Sequence, residues 1–84
     1  MMKYVFQNRT AAPITCIVEP WAEEFTVPPG FVLAIEISSP EFGLLETAMD
    51  ATYFAIWLWA GCRAAVSLDG TRQARPSLSI PVPS

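Results

Sequence analysis

Histidine is absent from this 84-residue sequence, and several kinds of chemistry are therefore excluded. There can be no Ser-His-Asp or Cys-His nucleophilic system, no imidazole general base and few transition-metal sites. The two cysteines, Cys16 and Cys62, lie far apart in the sequence and give only a weak basis for zinc. The four glycines are isolated, so no glycine-rich loop can hold a phosphate. The sequence predicts no catalytic residues, no metal, no cofactor and a protein that is not an enzyme.

Charged residues are also scarce, at 15% of the sequence against a typical value of about 25%. The net charge is −3, and the five basic residues are scattered along the chain. Nucleic-acid binding depends on clustered cations that displace counterions from phosphates. A nucleic-acid partner is therefore not expected. The basic residues are Lys3, Arg9, Arg63, Arg72 and Arg75.

Long apolar runs are missing as well. The longest candidate, residues 51–62, is shorter than the roughly 20 apolar residues that a membrane-spanning helix needs. The charges of Asp50 and Arg63 flank it, and both would be costly near the bilayer core. The N-terminus has no apolar region typical of a secretory signal. The sequence thus predicts no membrane partner and a cytoplasmic location.

Apolar residues, by contrast, make up 52% of the chain. A domain of this size buries only about 60 to 65% of the surface that its unfolded chain exposes. With a membrane set aside, the apolar excess favours contact with a partner subunit or a ligand. Cys16 and Cys62 lie in apolar stretches and are predicted to be buried free thiols. A disulfide stays open as the alternative if their two strands pair.

Short strands dominate the predicted secondary structure, because eight prolines interrupt the chain and no stretch keeps a 3.6-residue apolar period. The clearest alternation runs over residues 31–37, and its apolar set is expected in the core. The preceding Pro28-Pro29-Gly30 fits a type II turn and predicts a hairpin. That apolar set is Phe31, Leu33, Ile35 and Ile37.

The fold class that follows is all-β: a single compact antiparallel β-sandwich or small barrel of about seven or eight short strands, within residues 1–75. Residues 76–84 are rich in proline and serine and are predicted to form an extended, poorly ordered tail. Helix is the alternative to strand for residues 44–50. Strands are predicted at residues 3–7, 14–19, 23–27, 31–37, 44–49, 53–60, 63–68 and 71–74.

An aromatic stripe marks the predicted strand at residues 53–60. Trp57 and Trp59 are two residues apart and are expected to project from the same face, together with Tyr53. The opposite face carries Phe54 and Ile56 and is expected to fill the core. The stripe can be plain core covered on both sides, a homodimer surface or a platform for a planar ligand.

Carboxylates gather around Trp21, where Glu19, Glu23 and Glu24 lie close in sequence. Acidic pairs can perform acid–base chemistry or bind a hard cation. However, Glu23 and Glu24 are neighbours at the start of a strand, so their side chains point to opposite faces. This pattern favours a solvated strand edge over a metal or catalytic site.

Four short motifs follow one another along the chain: Glu19-Pro20-Trp21-Ala22-Glu23-Glu24-Phe25, Pro28-Pro29-Gly30-Phe31, Ile56-Trp57-Leu58-Trp59-Ala60-Gly61 and Asp69-Gly70. Together they resemble a group of small uncharacterised bacterial all-β proteins. That group carries an EPW-G-E-E/D-Y/F segment, a proline–glycine turn, a tryptophan-bearing strand that ends in glycine, and a terminal Asp-Gly turn. The resemblance spans about residues 14–70 and implies the fold and a bacterial origin, but no activity. Ala22 stands where the group usually has glycine, which weighs against a tight turn there.

The function predicted from the sequence is a non-enzymatic β-sandwich module that self-associates as a homodimer or binds a protein partner through its aromatic surface. One alternative is a small-molecule binding domain, with Trp21 as a stacking wall and Glu19 as a polar anchor. Another is an enzyme that uses Glu19 or Glu23 with a bound cation. The candidate surface residues are Trp21, Tyr53, Trp57, Trp59, Glu19 and Glu23.

Overall fold

Residues 1–83 are described by a computed structural model, and they form eight strands and one short 3₁₀ helix. The predicted all-β class is confirmed. Residues 44–50 contribute a strand rather than a helix. The elements are β1 (Met2–Gln7), β2 (Ile14–Glu19), β3 (Glu23–Val27), β4 (Val32–Ser38), β5 (Glu46–Met49), β6 (Tyr53–Trp57), β7 (Arg63–Leu68), β8 (Thr71–Arg72) and the 3₁₀ helix (Pro76–Ser79).

Two four-stranded sheets pack face to face, so the fold is a sandwich and not a closed barrel. Sheet 1 has the strand order β1-β4-β7-β8, and sheet 2 has the order β3-β2-β6-β5. Neighbouring strands are antiparallel except β2 and β6, which run parallel. The strand β6 therefore lies in the middle of sheet 2, between β2 and the edge strand β5.

The Pro28-Pro29-Gly30 turn forms as predicted, but the hairpin does not. The Phe31 N–H donates to the Pro28 carbonyl at 3.1 Å, and Gly30 has a φ of 82°, the left-handed region that glycine favours. The strands on either side belong to different sheets. After the turn the chain pairs with the end of β1 instead of with β3. The Asn8 N–H donates to the Phe31 carbonyl, and the Gly30 N–H donates to the Asn8 carbonyl. The turn therefore links the two layers of the sandwich.

Alternation of side chains along each strand builds the core between the sheets. In β4 the expected inward residues Leu33, Ile35 and Ile37 are buried, whereas Phe31 lies in the turn before the strand and is partly exposed. Across the core, the ring of Phe6 on β1 stacks on Phe54 of β6 with centroids 4.9 Å apart. Apolar burial of this kind is the main stabilising term in a domain of this size.

Both cysteines are buried and free, as predicted. Cys16 has no exposed surface, and its burial raises the pKa of the thiol to about 12. Desolvation disfavours the charged thiolate, which is the reactive form. Cys16 therefore acts as a small apolar core residue at neutral pH.

The C-terminal segment differs from the expected poorly ordered tail. Its 3₁₀ helix buries Leu78 in the core. Further along, the Val82 N–H donates to the Cys62 carbonyl at 3.0 Å, and the Gly61 N–H donates to the Val82 carbonyl at 2.8 Å. The prolines in this segment restrict the backbone but leave Leu78 and Val82 free to fill the core. Residues 76–82 thus belong to the domain.

A tight turn precedes β3 despite the alanine at its tip. Ala22 has a φ of 58°, a left-handed conformation that costs a residue with a Cβ roughly 1 kcal/mol. The expectation of no tight turn at this position is therefore wrong. The turn reverses the direction of the chain, so that β3 pairs antiparallel with β2.

Candidate functional site

The outer face of sheet 2 is one of the two sheet faces that point away from the core. In β6, Phe54 and Ile56 point into the core, so Tyr53, Ala55 and Trp57 point outward. Trp57 has 45% of its surface exposed. From the strand registers, the other members of this outer face are Thr15, Ile17 and Glu19 on β2, Glu24 and Thr26 on β3, and Glu46 and Ala48 on β5.

A row of three side chains crosses this face at Trp57. Glu19 of β2 is the register partner of Trp57 on one side, and Glu46 of β5 is its partner on the other. Neighbouring strands are about 4.8 Å apart, so each carboxylate side chain starts next to the indole. The sequence thus folds to place one exposed aromatic ring between two acidic residues.

The carboxylates of this face have no cationic partner within residues 1–83, where the two ion pairs use Glu36 and Glu23 instead. No lysine or arginine occurs in the four strands of sheet 2. Like charges next to one another are unfavourable in a sheet. Glu19, Glu24 and Glu46 therefore give the outer face of sheet 2 an unbalanced negative charge.

The chemistry of this face suits a cationic group. An indole ring attracts an ammonium or guanidinium group to its face, and the attraction is worth about 0.5–2 kcal/mol. Carboxylates form charge-assisted hydrogen bonds with the same groups. Among the described residues, no cluster of three or more histidine, cysteine, aspartate or glutamate side chains is arranged to hold a metal ion.

Trp59 does not join this face, contrary to the expectation from its spacing. The strand β6 ends at Trp57, and the chain then turns. The Trp59 Nε1–H lies 3.1 Å from both the Ser39 Oγ and the Glu41 carbonyl oxygen. Its ring covers Gly43 so closely that a Cβ at Gly43 would lie 2.0 Å from the Trp59 Cγ. Trp59 therefore holds the loop between β4 and β5.

A shallow cleft lies beside Trp59, at the end of the sandwich. Its volume is about 260 Å³, and its lining is mainly apolar. Trp59 contributes the ring, but the polar atom of that ring is already used in holding the loop. Phe42 at the rim is fully exposed. The polar groups of its lining include the Met1 α-amino group and the Glu41 carboxylate, and the cleft has none of the residues that surround Trp57.

Trp21 and Glu23 hold the C-terminal segment instead of forming a surface. The Trp21 Nε1–H donates to the Ile80 carbonyl oxygen at 3.1 Å, and its ring packs against the core. Glu23 pairs with Arg75 at 3.2 Å and accepts a hydrogen bond from the Ser77 hydroxyl. Both side chains are therefore engaged within the domain, and Arg75 and Ser77 already contact the Glu23 carboxylate.

Of the candidates taken from the sequence, the structure brings Glu19, Tyr53 and Trp57 together on one face. Sequence reasoning missed Glu46, which is close to Trp57 only because β5 pairs with β6. The sequence of β5 does not show which way Glu46 points, because each face of the strand carries one apolar and one polar residue and all four are exposed. The identity of its neighbouring strand is not encoded in any local pattern.

Comparison with known protein families, curated proteins and solved structures finds no match to this chain. The resemblance to small bacterial β-proteins therefore stays a prediction. No helix within residues 1–83 is both long enough and apolar enough to cross a membrane.

Proposed function

We propose that this domain is a binding module that docks a protein partner on the outer face of sheet 2. The observation that carries the proposal is the row formed by Glu19, Trp57 and Glu46, in which two carboxylates flank an exposed indole. Aromatic residues at the centre of an interface contribute most of its binding energy. An arginine or lysine of the partner fits this row, because the indole and both carboxylates attract the same charge.

Charge argues against a homodimer through this face. A two-fold contact places the same patch of each copy on the other. Glu19, Glu24 and Glu46 of one copy would then lie near the same three residues of the second copy. Like charges brought together across an interface cost several kcal/mol. A partner with a basic surface meets no such cost, and we therefore favour it over self-association through this face.

The small-molecule alternative has less support. It assigned Trp21 as the stacking wall, and Trp21 is held by the C-terminal segment. Small-molecule sites are concave and enclose most of their ligand, and the lining of the cleft beside Trp59 does not include Trp57, Glu19 or Glu46. An enzyme that uses Glu23 is also disfavoured, because Arg75 and Ser77 occupy that carboxylate.

The test is calorimetric titration with a blocked heptapeptide in which arginine and threonine alternate. We expect Trp57→Ala to weaken binding by about tenfold, equivalent to ~1.4 kcal/mol, because the variant removes the ring between the two carboxylates. Glu46→Gln is expected to weaken binding too, and added salt to weaken it further.

The matched control is Phe31→Ala, which removes another partly exposed aromatic ring, from the turn before β4. Circular dichroism should show that both variants are folded. We expect Phe31→Ala to bind the peptide within about twofold of the original chain, well below the tenfold effect at Trp57. Equal affinities for Trp57→Ala and Phe31→Ala, or no binding by the original chain, would contradict the proposal. A dimer that Trp57→Ala dissociates in light scattering would favour self-association instead.

A further inference from the structure

The edge of sheet 2 next to Trp57 is unpaired in the part of the chain that the structure describes. The strand β5 pairs with β6 on one side only, and all four of its residues are exposed. An open strand edge presents a row of backbone donors and acceptors to any added strand. Natural proteins protect such an edge with proline, charged side chains, a bulge or a very short strand. The strand β5 is short and carries one charge, that of Glu46. Glu46–Met49 contains neither proline nor lysine, and its pairing with β6 is continuous.

The hydrogen-bond register identifies which groups on this edge are free. The Asp50 N–H donates to the Tyr53 carbonyl oxygen at 2.9 Å. In an antiparallel pair the hydrogen-bonded positions alternate, so Ala48 and Glu46 also direct their backbone groups toward β6. The N–H and C=O groups of Thr47 and Met49 therefore point away from the sheet.

Two apolar side chains at or next to β5 are largely exposed. Leu44, two residues before the strand, and Met49, its last residue, are 72% and 71% exposed. Exposed apolar surface of this kind is available for a partner to cover. The edge thus combines free backbone groups with apolar side chains.

Charge identifies the occupant as a basic segment and not a second copy. Two copies could pair their β5 strands antiparallel, with Thr47 of one copy opposite Met49 of the other. Glu46 would then lie opposite Asp50 at both ends of the pair. In another register the two Thr47 residues would lie opposite each other. The two Glu46 side chains would then be diagonal neighbours across the paired strands. Like charges in either arrangement are destabilising. A strand with arginine or lysine at these positions would be attracted instead.

We infer that β5 accepts an extended basic segment of the partner as an added antiparallel strand, a mode known from other sheet edges. This inference rests on the proposed function and specifies how the partner binds. Alternate side chains of the added strand share the outer face of sheet 2. An arginine opposite Glu46 extends over β5 toward Trp57. The remaining side chains lie beside Thr47 and Met49.

Backbone methylation of the peptide separates strand addition from simple charge attraction. When the arginines of the alternating heptapeptide face Glu46, its threonines lie opposite Thr47 and Met49, and the threonine N–H groups face β5. We expect N-methylation of the threonines to weaken binding at least tenfold. N-methylation of the arginines, the matched control with the same charge, should leave the affinity within about twofold of the parent peptide. Hydrogen exchange at the Thr47 and Met49 amides should slow when the parent peptide binds.

The outcomes distinguish this inference from the proposed function. If all three peptides bind equally and Trp57→Ala still weakens them, the face binds cations but β5 does not accept a strand. If the parent peptide does not bind, both proposals fail. Selective loss with the threonine-methylated peptide, together with protection of Thr47 and Met49, supports strand addition.

Discussion

Replacing Leu78 with alanine is expected to lower the free energy of unfolding by about 2–5 kcal/mol. Leu78 is only 1% exposed and belongs to the hydrophobic core of the sandwich, although its segment was predicted to be a poorly ordered tail. Its removal leaves a cavity at the point where the 3₁₀ helix contacts β7. Because a domain of this size is only marginally stable, the loss would be a large fraction of the total. Urea unfolding followed by tryptophan fluorescence measures it.

The control for this prediction is Ile80→Ala in the same segment. Ile80 is 62% exposed, and the hydrogen bond from Trp21 uses its backbone carbonyl, which alanine keeps. Exposed substitutions of this kind usually change stability by less than about 0.5 kcal/mol. If Leu78→Ala is as mild as Ile80→Ala, the C-terminal segment does not form part of the core.

Asn8→Ala is expected to lower the free energy of unfolding by about 1–3 kcal/mol. Asn8 is the buried polar residue that ties together three segments. Its Nδ2 donates to the Ala12 carbonyl at 2.8 Å and to the Val27 carbonyl at 2.9 Å. Its Oδ1 accepts from the Thr10 N–H at 2.9 Å and from the Thr10 hydroxyl at 2.7 Å. Alanine removes the donor to the buried Val27 carbonyl, whereas the Ala12 carbonyl keeps the Thr10 hydroxyl at 2.9 Å. Unpaired buried polar groups are costly.

The neighbouring residue gives the comparison for Asn8. Gln7 is exposed on β1, and its side chain accepts a hydrogen bond only from Arg9. We expect Gln7→Ala to change the free energy of unfolding by less than about 0.5 kcal/mol. Thermal unfolding of both variants, monitored by circular dichroism, gives the comparison. An Asn8→Ala midpoint equal to that of Gln7→Ala would show that the side-chain bonds of Asn8 do not stabilise the fold.

Local patterns predicted the strands well but not their partners. The alternation in β4 follows from which side chains are apolar, so its buried face could be predicted directly. The turn at Pro28–Gly30 was equally local, because proline and glycine restrict the backbone there. Whether that turn closes a hairpin depends on Asn8. Its backbone forms hydrogen bonds with Gly30 and Phe31, which lie more than twenty residues later in the sequence. Only the folded topology reveals such a contact.

The residues of the candidate site, too, were predicted where they depend on alternation within a strand and missed where they depend on strand pairing. Alternation placed Tyr53 and Trp57 on one face of a strand, and both lie there. The same rule placed Trp59 with them, and it failed because β6 ends at Trp57 and the indole of Trp59 packs over the glycine at position 43. Glu46 joins the site through the pairing of β5 with β6. The charge environment of Trp57 is therefore a product of topology, not of sequence spacing.

The most direct test of a cation-binding face is to map the alternating arginine–threonine peptide on the isotope-labelled domain by nuclear magnetic resonance. We expect chemical-shift changes centred on the Trp57 indole, Glu19 and Glu46, with little change at Lys3 or Arg63 in sheet 1. Changes confined to the cleft beside Trp59, or spread evenly over the domain, would contradict the account.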